Sequence, residues 1–386
     1  MPTYKENWLE RIEIRDPLIK YPDVPLIVDD WTLAFRLGFT GKVFWYILQN
    51  RHKMYREFLM KKKSGGMRKV FDPNDLIRTF QMQLRTRVLL PLCSRLGPHV
   101  SAYQLNKSTI DAATSHLRAC SICEETTRPG TRNVKHVCPR TGFKFKLDLK
   151  DFFLSTSQAL IRGYFHQVVG YNHYASSLLG TLLTTTYKDE KRRTRNGVPP
   201  GALTAGDICN LVADWKIDQP MMQALPGWRY SRYADDLYFS HDGATSAQID
   251  YALKTAREVI RASGFRVNEK KTQKQPWGRP QRILGININR KLNIPAHEFE
   301  RMHNILYHAR KYGFEQQLKF AKKENVGDLH AWIVGKLNYF NQFAPHRTEK
   351  LRKLYVVAKE ANKSSDVTVF NFENGKAVAI PTSEIA

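Results

Sequence analysis

No stretch of this chain is apolar for the length that a membrane-spanning helix needs. Its first residues, Met1-Pro2-Thr3-Tyr4-Lys5-Glu6-Asn7-Trp8, lack the apolar core of a secretory signal. Neither a basic amphipathic helix nor a lipidation signal is found, so no membrane partner is expected. Cysteine is scarce, at five in 386 residues, and an odd number argues against a disulfide-stapled secreted fold. A reducing, cytoplasmic compartment is the expectation. Internal repeats and long low-complexity tracts are also missing. Acids are in deficit: 36 Asp and Glu stand against 61 Lys and Arg, a formal net charge of +25. An excess on that scale points to a polyanionic partner, bound by counterion release along a phosphate backbone. What is plentiful is core material, 42% hydrophobic and 11% aromatic, which excludes a disordered chain.

The patterning suggests four regions. Residues 1–30 mix charges with Pro2, Pro17, Pro22 and Pro25 and read as an extended N-terminal arm. Residues 31–290 alternate helical and strand periodicities. Helical spacing is expected from Trp31 to Phe58, then two strands around Gly65-Gly66 within Met60–Pro73, then an amphipathic helix over Asp75–Leu96. A polar insert, 118–143, holds Cys120, Cys123, His136 and Cys138. These could ligate a structural Zn²⁺ or sit as reduced thiols in a plain hairpin, and both readings stay open. Phe143, Phe145 and Leu147 alternate with lysines and predict a strand ending at Asp148. Pro199-Pro200-Gly201 predicts a turn into a helix, with Thr204 and Asp207 as a capping box. Arg282–Asn289 reads as one alternating strand. Residues 291–362 are helical and basic, and 363–386 form a loose tail or an edge strand.

The chemistry gathers around Ser231-Arg232-Tyr233-Ala234-Asp235-Asp236-Leu237-Tyr238-Phe239-Ser240. Neighbouring side chains on a strand point to opposite faces, so two adjacent acids can serve one site only at a tight turn. A hairpin with carboxylates at its tip offers hard oxygen ligands to Mg²⁺. A solvated turn is the bland alternative, since Asp favours turns anyway. Asp148, a third acid at a strand terminus, tips the balance. Two such elements side by side can hold two Mg²⁺ ions for in-line phosphoryl transfer. Lys63 and Arg68 on the basic hairpin could lie along a triphosphate or a template backbone.

Tyr233-Ala-Asp-Asp236 in this context resembles the reverse transcriptases, most nearly the bacterial retron-type enzymes. Lys63-Ser-Gly-Gly-Met-Arg68, Leu147-Asp-Leu-Lys-Asp-Phe-Phe153, Arg162-Gly-Tyr-Phe165, Asn268-Glu-Lys-Lys-Thr272 and Ile333-Val-Gly-Lys336 extend the resemblance from about Leu33 to Phe340. The resemblance implies an α+β right-hand polymerase, with an antiparallel palm sheet with helices, fingers, and a C-terminal helical thumb over 291–362. It implies that Asp148, Asp235 and Asp236 bind two Mg²⁺ ions, which Mn²⁺ can replace. Lys63 and Arg68 would clamp the triphosphate, Asp151 and Phe153 would meet the incoming dNTP, and Phe153 would exclude a ribose 2′-OH. Gly201 and Thr204 would lie beneath the nascent pair, Lys271 would assist pyrophosphate departure, and Gly285 would form the primer grip.

The implied activity is RNA-directed DNA synthesis on a bound, structured non-coding RNA, giving an RNA–DNA product. Priming from a 2′-OH of that RNA and anti-phage defence with an effector protein are further implications. Four departures separate the chain from the retron pattern: Pro200 where a glutamine is usual, Ile283-Leu284-Gly285 in place of Val-Thr-Gly, Ala112-Ala113-Thr114-Ser115-His116 as only a partial match to Asn-Ala-x-x-His, and the cysteine insert. They leave two alternatives: a non-retron defence enzyme with template-independent or protein-primed synthesis, and an RNA-binding scaffold whose catalysis is dispensable. The length after the thumb speaks against a maturase or endonuclease domain.

Overall fold

The helical spacing expected over Trp31–Phe58 resolves into two helices, because Gly38 takes a left-handed φ of 79° and ends the first. Helix α1 spans Asp30–Leu37 and α2 spans Gly41–Asn50, capped by the side chains of Asp29 and Thr40. Tyr55 and Phe58 belong instead to strand β1, Tyr55–Lys61. It pairs antiparallel with β2, Met67–Pro73, and Gly65 and Gly66 both carry positive φ between the strands. The next stretch is helical as α3, Asp75–Leu84. It passes through a π-type turn at Arg85–Leu89, next to Pro91, which has no N–H for the ladder, and runs on to Cys93. Residues of the expected arm also pack: Val24 and Ile27 are buried, and the Tyr171 hydroxyl donates to the Pro25 carbonyl at 2.6 Å.

This computed structural model describes residues 20–61, 65–117, 142–189, 192–276, 278–289, 291–321, 328–363, 369–373 and 376–380. Lys63 and the insert bearing Cys120, Cys123, His136 and Cys138 lie outside the described residues. The chain divides into two compact units, Met1–Ile283 and Leu284–Ala386.

The first unit is built on an antiparallel sheet. After α4 (Thr109–Thr114), β3 (Phe143–Asp148) and helix α5 (Ala205–Ala213) come β4 (Arg229–Tyr233), β5 (Asp236–His241), helix α6 (Ser246–Ala262) and β6 (Gln273–Pro276). The sheet order is β4-β5-β3-β6. Period-two alternation sorts its residues cleanly. Phe145, Leu147, Tyr230, Leu237 and Phe239 go to one face and join a core with Ile208, Val212, Leu253 and Ile260. There Phe145 stacks on Phe239 with ring centroids 4.4 Å apart. The opposite face carries Lys144, Lys146, Asp148, Ser231, Asp236, Tyr238 and Ser240. Every charged group singled out on β3 and β5 is therefore on one side.

Two expectations fail. Thr204 makes no side-chain cap on α5, because its own backbone is already helical, with φ of −85° and ψ of −8°, and Asp207 is drawn to Arg85 Nε at 2.6 Å rather than back to the helix start. Arg282–Asn289 is not one strand. Leu284 and Gly285 take φ of 49° and 85°, which breaks the alternation into Arg282–Ile283 and Ile286–Asn287.

The second unit packs helices α7 (Ala296–Tyr312), α8 (Leu329–Asn341) and α9 (Pro345–Lys363) around Phe299, Met302, Leu306, Ile333, Leu337, Phe340 and Leu351. Arg347 lies 4.3 Å over the Phe299 ring. The C-terminal stretch contains a paired hairpin, β7 (Val369–Glu373) with β8 (Lys376–Ile380). Among the described residues no helix is long and apolar enough to cross a membrane.

One end of the polar sheet face is closed by His116. Its Nδ1 lies 2.7 Å from Ser240 Oγ and its Nε2 2.8 Å from Ser231 Oγ, so it joins β4 to β5. Burial, with the charges of Lys144 and Arg229 adding, pulls this imidazole down to about 3 from its ordinary 6.5. A histidine depressed on folding binds fewer protons folded than unfolded. Its contribution to stability is therefore complete above about 6.5 and is lost as pH falls toward the folded value. Denaturant melts between pH 7 and pH 5 should show wild type losing up to about 1.4 kcal/mol per pH unit from this source. His116→Gln should be less stable at pH 7 but flatter with pH. An unchanged slope would assign the acid sensitivity to other groups.

Candidate metal centre and active site

The hairpin tip is a two-residue turn, Ala234-Asp235, that lets Tyr233 pair with Asp236. Ala234 adopts φ of 53°, a left-handed value that twists the turn to match the strands. Asp235 consequently sits past the strand end while Asp236 starts β5 directly opposite Asp148 on β3. The Leu149 N–H donates to the Asp235 carbonyl at 2.8 Å, and the Asn268 N–H to the Asp148 carbonyl at 2.7 Å, locking the two strand ends together. Carboxylate oxygens of Asp148, Asp235 and Asp236 all lie within 4.8 Å of one another.

Each acid has a different set of partners. Asp148 accepts from Lys271 Nζ at 3.0 Å and from Asn268 Nδ2 at 3.1 Å. Asp236 accepts from Lys146 Nζ at 2.7 Å and from the Tyr238 hydroxyl at 3.1 Å. No described side chain donates to Asp235. Burial raises the Asp235 carboxyl above its ordinary value, and the charges of Asp236 and Asp148 raise it further. Burial also raises Asp236, against the opposing pull of Lys146. For Lys271 burial acts downward, but its hydrogen bond to Asp148 and the three carboxylates outweigh it and hold the ammonium above its usual range. Crowded carboxylates disfavour their own ionisation, and a hard cation relieves that. The donor set is all oxygen, with no sulfur or imidazole, and fits Mg²⁺ or Mn²⁺.

A second cluster, His99, Asp214 and Asp218, has comparable spacing. Arg232 already occupies it: its Nε and Nη2 reach both Asp218 oxygens at 2.8–2.9 Å, and the pair is fully buried. His99 Nε2 lies 2.7 Å from Asp214 Oδ1. This cluster is a neutralised network.

The remaining candidates fall as follows. Arg68 is exposed on β2, opposite Met60. Asp151 is exposed with φ of 50° and starts the short helix Phe152–Ser155. Phe153 is half-buried, its ring edge-on to Tyr103 with centroids 6.0 Å apart. Gly201 has φ of 112°, and a Cβ there would lie 2.5 Å from the Phe71 carbonyl oxygen, so the Pro-Pro-Gly loop requires glycine where it docks on β2. Thr204 is buried beside it. Gly285 belongs to the second unit. Sequence reasoning gave no role to Lys146, Tyr238, Asn268 or Tyr103. The alternation of β3 carries a readable signal for Lys146, which shares a face with Asp148, whereas Tyr103 lies on a loop with no pattern.

Residues 60–288 match the family model described as Reverse transcriptase (RNA-dependent DNA polymerase). Over 318 residues the chain is 28% identical to the Retron Mx65 reverse transcriptase of Myxococcus xanthus, covering 79% of this chain and 65% of that protein. Over 264 residues it is 26% identical to the Retron Ec86 reverse transcriptase of Escherichia coli, covering 66% and 69%. The chain thus spans just under two thirds of the first relative's length. Among solved structures, a telomerase from Candida albicans in complex with a telomeric RNA fragment matches with a TM-score of 0.41 and 12% identity, covering 80% of this chain and 63% of that one.

Raised acid values carry a testable sign. A carboxyl whose folded value lies above its unfolded one stabilises at low pH, and that stability is lost as pH rises through the folded value. At pH 7.5, metal-free Asp235→Asn should melt higher than metal-free wild type, by about 2–4 °C. Mg²⁺ should then raise the melting temperature of wild type and leave the variant nearly unmoved. A variant that melts lower without metal would contradict the electrostatic account.

Proposed function

The chain belongs to the reverse transcriptase family, and from that premise we propose that it is an RNA-directed DNA polymerase. It copies a bound, structured non-coding RNA into single-stranded DNA in the retron manner. The observation that carries this reading is the convergence of Asp148, Asp235 and Asp236 on one sheet face, with Lys146 and Lys271 beside them. The retron names of its relatives support the substrate class. Anti-phage defence with an effector protein as partner belongs to the same proposal.

In this reading the first unit supplies fingers and palm, and the helices of the second supply the thumb. Asp148, Asp235 and Asp236 would hold two Mg²⁺ ions, which when bound would neutralise the triphosphate and make the primer hydroxyl more acidic. The primer 3′ oxygen forms a bond to the α-phosphorus of a dNTP, the bond from that phosphorus to the bridging oxygen breaks, and pyrophosphate leaves. Lys271, held protonated beside Asp148, stands ready to donate to the departing pyrophosphate. Asn268 and Lys271 together fix both oxygens of Asp148, and Lys146 with Tyr238 fixes those of Asp236. Phe153 places its ring where the sugar sits and excludes a ribose 2′-OH by filling the space that hydroxyl needs. Arg68 lies on the hairpin that reaches the triphosphate.

Purified protein should extend a primer on an RNA template with dNTPs and Mg²⁺, and Asp235→Asn should lower that rate about a thousandfold or more. Sequencing of the co-purifying nucleic acid should return one structured RNA joined to complementary DNA. Equal incorporation by the variant, or products unrelated to any bound RNA, would overturn the reading.

A further inference from the structure

Tyr103 sits in a backbone conformation that a ring-bearing residue seldom takes. Its φ is 56°, a strained conformation that persists only where the surroundings enforce it. They do so here. The Arg232 N–H donates to the His99 carbonyl at 2.7 Å, the Ser101 N–H to the Arg232 carbonyl at 3.2 Å, and Asn210 Nδ2 to the Ala102 carbonyl at 2.7 Å. Three of the four residues before Tyr103 are thus stitched to β4 and α5, two elements of the first unit.

The ring itself is seated on glycine. A Cβ at Gly206, in the first turn of α5, would lie 2.5 Å from Tyr103 Cγ, 2.8 Å from Cδ1 and 2.9 Å from Cβ. The same ring meets Phe153 edge-on at 6.0 Å and 68°. Phe153 also meets Phe152 at 5.5 Å, so the half-buried ring is bracketed by two aromatics. Burial raises the Tyr103 phenol, and the nearby Asp235 charge adds to this, which puts the side chain in the field of the carboxylate cluster. Half of Tyr103 remains exposed there.

We propose that Tyr103 is a positioning residue for nucleotide selection, a buttress that keeps Phe153 from retreating. This rests on the proposed reading that Phe153 meets the nucleotide sugar. A single ring rejects one extra hydroxyl only if it cannot turn aside, because a wall that yields accepts the larger ligand at little cost. Tyr103, seated against the backbone at Gly206 and in contact with Phe153, removes that freedom. The strained backbone is the means of aiming it.

The test is the ratio of kcat/KM for dNTP over the matching rNTP on an RNA template. Tyr103→Ala should lower the ratio about tenfold, mostly by lowering KM for the rNTP, and Tyr103→Phe, which keeps the ring, should restore it to within about twofold. Gly206→Ala should lower the ratio with Tyr103 still in place. In a double-mutant cycle, Tyr103→Ala should add nothing to Phe153→Ala, because both act through one ring. If Tyr103→Ala and Gly206→Ala incorporate dNTPs with the wild-type ratio, or if the double mutant is additive, the buttress is overturned and the polymerase reading stands. If Phe153→Ala itself discriminates as well as wild type, the sugar contact falls and the buttress with it.

Discussion

Under the turn that carries Asp235 lies a guanidinium with no access to water. Arg232 precedes Asp235 by three residues and points to the core face of the sheet. There Asp218 takes its Nε and Nη2, and Asn210 accepts from Nη1 at 2.8 Å. The Tyr230 hydroxyl donates to the same Asp218 at 2.6 Å, and His99 closes the group through Asp214. Removing two charges from water costs several kcal/mol per ion, so such a pair survives only when nearly every donor and lone pair is matched. Matching them fixes β4, α5, the helical turn at Asp218 and the loop before Tyr103 in one arrangement. Lysine, a point charge with no fork, could not hold Asp218 and Asn210 together in these directions. The position of the turn, and hence of Asp235, follows from this network.

The sheet then divides the labour. Its core face is apolar apart from the Arg232 network and fixes the register of β3 against β5. A slip of one residue would send Asp148 into the core and Leu147 out, so core packing and the geometry of the carboxylate cluster are the same constraint. Charge on the other face is arranged in opposition. Lys146 and Lys271 each take one carboxylate, which leaves Asp235 as the acid with the least local compensation. That asymmetry is what a cation-binding site needs: two acids oriented by fixed partners and a third whose charge is unspent.

Much of this was legible in the sequence. Asp148, Asp235 and Asp236 were readable because alternation and a tight turn are local signals, and the hairpin around Gly65-Gly66 was readable for the same reason. Lys271 and Phe153 came from the resemblance, on short motifs that keep their spacing. The partners of the acids were less visible. Asn268 reaches Asp148 across 120 residues of chain, and no local pattern encodes that meeting. The capping box at Thr204 failed because that residue's backbone is already helical and Arg85, far off in sequence, competes for Asp207 more strongly than the helix N-terminus does. Leu284 broke a well-alternating strand because a left-handed leucine leaves no trace in hydropathy.

The close approach at Gly201 has a mechanical meaning. The Phe71 N–H donates to the Pro200 carbonyl at 2.8 Å, which makes that point of β2 a fulcrum. From Phe71 to the glycines at the hairpin tip is five residues, an arm of about 17 Å at roughly 3.3 Å per residue. A rocking of about 10° at the fulcrum would sweep the tip through about 3 Å, the scale of one hydrogen bond made or broken. Both strands of the outer arm are largely exposed, so little packing resists that swing. The base of the lever is fixed by backbone contact, and its reach is set by strand length alone.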